Sequence, residues 1–152
     1  LQIIVDADAC PKAIKEILFR ASERTRIPML LVANTRLRVP PSPLFKTLVV
    51  NSGFNEADDK IVDIVNDGDL VITADIPLAD RVVKKGAYAL DPRGEFLTED
   101  NIGPRLSLRN FMQEMRESGL VTGGPAPFNP KNCRAFAQSL NTFLDKNRQK
   151  IC

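Results

Sequence analysis

The chain has 152 residues but no histidine, no tryptophan and a single tyrosine. Without an imidazole, serine–histidine and cysteine–histidine catalysis are excluded, and so is histidine-ligated zinc. Metal chemistry must then rest mainly on oxygen donors, which favours Mg²⁺ or Mn²⁺. The aromatic residues fall mostly at core spacing, so no base-stacking platform is visible. Cysteine is scarce: Cys10, Cys133 and Cys152 are scattered, odd in number and without CxxC spacing. They suggest neither a disulfide framework nor a zinc knuckle. No apolar run is long enough to span a bilayer and no secretory leader pattern stands at the start, so the expected location is the cytoplasm, away from membranes. Net charge is small as well. Twenty-one Lys and Arg against 19 Asp and Glu leave +2, and only the local placement of cations can speak for a nucleic-acid partner.

Hydrophobic residues make up 43% and charged residues 26%, ordinary for a globular chain long enough to bury a full core. Residues 2–6, 29–33, 47–50, 70–73 and 88–90 read as short buried strands. Between them, helical spacing follows Pro11, runs over 56–66, and runs from Pro77 to Gly86. Strands alternating with helices at these intervals imply βαβ units and a largely parallel sheet. The remainder is helical in pattern. Residues 106–119 carry an apolar stripe of Leu108, Phe111, Met112 and Met115, and 129–150 turn Phe136, Leu140, Phe143 and Leu144 inward. The expected organisation is one domain over 1–152, with an α/β body (1–96) and a helical extension (97–152) packed on it.

Ile3-Ile4-Val5-Asp6-Ala7-Asp8-Ala9-Cys10-Pro11 delivers two carboxylates to the carboxyl edge of the sheet, where open α/β sheets bind ligands. In extended backbone, Asp6 and Asp8 point the same way, roughly 6.5–7 Å apart. If Pro11 is the first helical residue, Cys10 is the cap and Asp6 lies too far upstream to cap. Asp75 ends a second buried strand at the same edge, although capping the helix at Ile76-Pro77 would also explain it. Asp80 follows one helical turn later, either near the site or solvated. Asp58 and Asp59 stand in the first turn of their helix, where acids suit the dipole, and Asn55 with Asp58 forms a variant capping box. Thr73 is suited to a phosphate or a metal-bound water, or to an ordinary strand.

Arg36 and Arg38, in a proline-rich loop after the second strand, suit a phosphate-bearing substrate. Arg93 in Asp91-Pro92-Arg93-Gly94 is a similar candidate. Lys12 and Lys15 read as a solvated helix face. Thr122-Gly123-Gly124-Pro125 offers N–H groups to an anion or is a plain hinge. Cys10 at a helix start would have a lowered thiol pKa, but with no partner it reads as a small structural residue.

Val5-Asp6-Ala7-Asp8-Ala9-Cys10-Pro11, Val32-Ala33-Asn34, Arg38-Val39-Pro40-Pro41-Ser42, Gly53-Phe54, Ala57-Asp58, Gly68-Asp69-Leu70-Val71-Ile72-Thr73-Ala74-Asp75-Ile76-Pro77-Leu78-Ala79, Pro92-Arg93-Gly94 and Thr122-Gly123-Gly124-Pro125 together resemble the YaiI/YqxD family of bacterial proteins over nearly the whole chain. That family is regarded as PIN-like, a fold of metal-dependent ribonucleases. The resemblance implies a three-layer domain with a central, largely parallel five-stranded sheet flanked by helices. It also implies a metal site in which Asp6, Asp58 and Asp75 match the acidic positions in order, with Asp8 and Asp80 as additions. At the middle position PIN nucleases typically carry Glu, and this chain has the shorter Asp58.

Three functions compete. The first is a Mg²⁺- or Mn²⁺-dependent nuclease acting on RNA. Asp6, Asp8, Asp58 and Asp75 would do its chemistry, and Arg36, Arg38, Thr73 and Arg93 would hold substrate. The second is a haloacid-dehalogenase-like phosphatase with Asp6 as nucleophile and Asp8 as acid, against which stands a helix starting at once at Pro11. The third is an RNA- or protein-binding module without catalysis.

Overall fold

Strand β1 (Ile3–Asp6) has every residue buried, because helices cover both of its faces. A computed structural model describes residues 1–53, 55–117 and 129–147. After β1 come a 3-10 turn (Ala7–Ala9), α1 (Lys12–Thr25), β2 (Met29–Ala33), β3 (Phe45–Val49), α2 (Glu56–Ile64), β4 (Leu70–Ile72), α3 (Ile76–Lys84), β5 (Tyr88–Leu90), β6 (Phe96–Leu97), α4 (Glu99–Glu117) and α5 (Pro130–Asn147). The sheet order is β3-β2-β1-β4-β5-β6. All neighbours are parallel except β5 and β6.

Alternation along the strands divides the core. Ile3, Val5, Leu31 and Ile72 face one way and meet Ile14 and Leu18 of α1 and Phe136, Leu140 and Leu144 of α5. Ile4, Val32 and Val71 face the other way and meet Ile61 of α2, Leu78 and Val82 of α3 and Ile102 of α4. Helix, sheet and helix thus form three layers, as expected. Each fully buried Leu, Ile or Phe contributes about 1.5–3 kcal/mol. The four inward residues of α5 are all buried, which makes that helix part of the α/β core.

Several local expectations need correction. The sheet gains a sixth strand, β6, too short for a period of two to show in sequence. Strand β3 begins at Phe45. Helix α4 begins at Glu99, with Glu99 and Asp100 favouring its N-terminal dipole. Leu108 is 60% exposed, so the stripe proposed for 106–119 does not hold there. The Phe111 and Met112 side chains and Thr122–Pro125 lie outside the described residues. Pro11, with φ −60° and ψ 147°, is the N-cap of α1 and not its first residue. Asn55 caps α2 through a left-handed backbone (φ 64°) without a side-chain bond, so the capping box is absent.

The β5–β6 turn is locked to α5. Gly94 has φ +95°, and a Cβ there would stand 2.5 Å from the Ala135 carbonyl carbon. The Ser139 hydroxyl donates to its carbonyl at 2.6 Å. Only glycine permits both the backbone conformation and this approach.

Candidate carboxylate site at the switch point of the sheet

From β1 the sheet grows outward through β2 and β3 on one side and through β4 and β5 on the other. Beyond the carboxyl ends of β1 and β4 the chain passes to opposite faces of the sheet, into α1 and into α3, and such a switch point is the usual ligand position in open α/β sheets. Asp6 ends β1 and is 8% exposed. Thr73 follows β4 directly and is 1% exposed. The Thr73 hydroxyl donates to Asp6 Oδ2 at 3.0 Å and accepts the backbone N–H of Asp75, also at 3.0 Å. Asp75 in turn caps α3, its Oδ1 accepting the Leu78 N–H at 2.9 Å. A single run of hydrogen bonds thus joins the end of β1, the end of β4 and the start of α3.

The charges here repel one another. Asp6 is pushed up to about 6, chiefly by burial and further by Asp58, Asp75 and Asp8, while the Thr73 hydrogen bond opposes the rise. Asp58 is raised as well, first by burial and then by Asp75, with Arg81 acting against the shift. Asp6, Asp58 and Asp75 therefore share one electrostatic environment, with Asp8 at its margin.

Asp8 arrives differently from the strand geometry expected. The backbone leaves extended conformation at Asp6 (φ −76°, ψ 85°), and Asp8 sits exposed in the 3-10 turn. Its Oδ2 accepts the Asn34 N–H at 2.8 Å, tying the turn to the loop after β2. Asp80 forms an ion pair with Lys84 at 2.8 Å, and Asp59 forms one with Arg81 at 2.9 Å. Neither acts on Asp6. Arg36 and Arg38 are exposed on the crossover between β2 and β3, whose Leu37 and Val39 pack against the core. Arg93 turns to α5, its Nη1 donating to Asn132 Oδ1 at 3.4 Å.

Oxygen donors alone suit a hard divalent cation. Among the described residues, however, no three Asp, Glu or Cys stand close enough to hold one ion jointly. The donor chemistry fits; the arrangement is open. Two surface cavities, of about 250 Å³ beside α1 and about 550 Å³ against β5, β6 and the end of α5, are lined by other residues.

Cys10 is buried, and its thiol is pushed up to about 12, chiefly by desolvation, with Lys15 opposing and Asp6 reinforcing. The structure thus supports the packing role. Sequence reading missed Asp91, which follows β5 as Asp6 ends β1. Burial raises its pKa, but its Oδ1 accepts the Arg93 N–H at 2.6 Å, and Arg105 and Arg93 counter the shift.

The double role of Asp75 gives a test. Asp75→Ala is expected to cost about 1 kcal/mol through loss of the cap, and Asp75→Asn much less, because asparagine caps equally well. Urea unfolding of both variants checks this.

Residues 4–146 match the model described as "Uncharacterized BCR, YaiI/YqxD family". The chain is similar to a UPF0178 protein of Maridesulfovibrio salexigens, 54% identical over 151 residues covering 99% of this chain and 100% of that one. It is also similar to a UPF0178 protein of Shewanella amazonensis, 56% identical over 144 residues, 95% and 97% of the two chains. A third, from Photobacterium profundum, is 55% identical over 150 residues, 99% and 100% of the two. No solved structure matches the chain significantly.

Proposed function

The chain belongs to the YaiI/YqxD family, and we propose that it hydrolyses phosphodiester bonds, preferably of RNA, with Mg²⁺ or Mn²⁺ around which Asp6, Asp58 and Asp75 would draw closer than they stand in the metal-free arrangement. Asp8 and Asp80 would be outer carboxylates. The observation that carries this proposal is the mutual repulsion of Asp6, Asp58, Asp75 and Asp8 at the sheet's switch point. Repulsion of this kind is what a bound divalent cation relieves. The cation would lower the pKa of a bound water and stabilise charge on the phosphate oxygens.

The protein's own groups supply the rest. Thr73 orients the Asp6 carboxylate through its hydroxyl and leaves Oδ1 available. Asp75 keeps one oxygen on the α3 cap and has the other to offer. Arg36 and Arg38, exposed and without an ion pair among the described residues, would hold flanking phosphates. The phosphatase alternative is weaker, because an acid at Asp8 would have to leave the Asn34 N–H.

Mn²⁺ titration calorimetry is the direct test, on the wild type, Asp6→Asn and Asp75→Asn. Wild-type binding that falls at least tenfold in both variants, together with loss of Mn²⁺-dependent cleavage of labelled single-stranded RNA, is the expected result. Equal binding in all three proteins would remove the site. No wild-type binding at millimolar Mn²⁺, alone or with RNA present, would shift the function to a binding module without catalysis.

A further inference from the structure

The sheet ends in two edge strands, and the chain treats them differently. At β6, the Asp91 N–H donates to the Glu95 carbonyl at 2.9 Å. By alternation, Glu95 and Leu97 turn their backbone groups toward β5, and Phe96 and Thr98 turn theirs outward. Asn101, in the first turn of α4, meets both. Its Nδ2 donates to the Phe96 carbonyl at 2.8 Å, and its Oδ1 accepts the Thr98 N–H at 2.9 Å. One side-chain amide stands where a neighbouring strand would, so this edge is closed to further pairing.

The β3 edge has no such cover among the described residues. The Met29 N–H donates to the Leu44 carbonyl at 2.9 Å, and the Val50 N–H donates to the Ala33 carbonyl at 2.8 Å. In a parallel ladder these bonds fix the alternation. Lys46 and Leu48 turn their N–H and C=O groups toward β2, and Thr47 and Val49 turn theirs away. The Phe45 N–H bonds back to the Ser42 carbonyl at 3.3 Å, while its own carbonyl faces outward. Among the described residues nothing pairs with the outward N–H groups of Thr47 and Val49. Both residues are exposed, Val49 at 53%. Beside the same strand, against α1, lies the cavity of about 250 Å³, whose apolar wall is Phe19, Pro40 and Phe45. Phe45 and Val49 share one face of β3 by alternation. An apolar hollow and an exposed apolar side chain thus stand at opposite ends of one bare strand.

We infer that β3 pairs antiparallel with β3 of a second copy of this chain, about a two-fold axis through Thr47, and joins the two sheets into one. The pattern of free groups selects that partner. In this register Thr47 exchanges both hydrogen bonds with its own copy, and the Val49 N–H of each chain donates to the Phe45 carbonyl of the other. Each free donor finds an acceptor, and the Phe45 N–H, already engaged at Ser42, is not called on. The same rotation sets each Val49 opposite Phe45, at the hollow of the other copy, and Thr47 against Thr47. Lys46, a usual guard of edge strands, falls opposite Leu48, where its stem covers an apolar neighbour and its ammonium reaches solvent. Such an isologous contact closes on itself and stops at the dimer, because the β6 edge is occupied by Asn101. The two carboxyl edges then point in opposite directions and each carboxylate site stays within one chain, so the inference stands apart from the hydrolase reading.

Sedimentation velocity over a concentration series tests it, on the wild type, Val49→Lys and Thr47→Pro, with circular dichroism as the folding control. Val49→Lys puts a charge on a side chain the monomer leaves exposed. Thr47→Pro removes an N–H that makes no bond within the described chain. One strand pair with its flanks is a small interface, so the wild type should pass from monomer to dimer at micromolar concentration. Both variants should weaken the dimer at least about tenfold. A wild type still monomeric at about 200 μM would overturn the inference. So would a dimer that neither variant weakens. Loss in Val49→Lys beside a folded, fully dimeric Thr47→Pro would also overturn it, because the copies would then touch without pairing strands. Should Thr47→Pro not fold, amide hydrogen exchange of the wild type decides in its place. The Thr47 and Val49 amides should slow at least about tenfold from dilute to concentrated protein, and unchanged exchange at both would overturn the pairing.

Discussion

An Asp6→Asn protein is expected to unfold at a higher temperature than the wild type while losing Mn²⁺ binding and cleavage. Asp6 is 8% exposed and pushed from 3.8 to about 6, so the folded state takes up its proton more readily than the unfolded chain. The stability conferred by the protonated form is fully present below about pH 4. It is lost as pH rises to about 6, after which the folded protein carries a buried, repelled carboxylate. The shift corresponds to about 3 kcal/mol at neutral pH. Asparagine keeps an oxygen for the Thr73 hydroxyl and removes the charge. In metal-free buffer the gain in midpoint should therefore grow between pH 4 and 6 and level off near roughly 5–10 °C above pH 7. Thermal unfolding of both proteins across that range measures it. A variant less stable than wild type at pH 7 would show that the Asp6 charge is compensated in the fold, and the case for a cation there would lose its main support.

Thr73→Val should have a comparable effect of opposite sign. Valine matches the shape of threonine but removes the hydroxyl that donates to Asp6 and accepts from the Asp75 N–H. Losing a hydrogen bond to a charged group costs about 1.5–3 kcal/mol. The Asp75 N–H also loses its acceptor. The Thr73 bond is the one influence that holds the Asp6 pKa down, so the penalty should be larger at pH 8 than at pH 4. Urea unfolding at the two pH values reads it, and Thr73→Ser, which keeps both bonds, should recover most of the loss. A penalty equal at both pH values would mean that the hydroxyl serves packing alone and does not position Asp6.

Much of this architecture is legible locally. Apolar strands of three to five residues, the proline at the start of α3 and the acid that caps it identify the βαβ units, because periodicity and capping act within one turn or one strand. The acidic residues at strand ends likewise mark the edge where a site belongs. The failures arise where distant parts of the chain meet. The 3-10 turn after Asp6 replaces an extended continuation and rotates Asp8 to the Asn34 N–H, a partner 26 residues away. Leu108 fits an apolar stripe by spacing, yet the packing leaves it exposed.

By itself, then, the sequence determined the largely parallel α/β class, the mainly oxygen donor set that follows from having no histidine, and the candidacy of Asp6, Asp58 and Asp75. Tertiary structure alone decided which groups meet. Asp6 and Thr73 are 67 residues apart and touch because β1 and β4 are neighbours at the point where the sheet reverses its growth. The same pairing buries Asp6 among like charges. Burial and long-range proximity depend on how the chain closes on itself, and no local pattern encodes them.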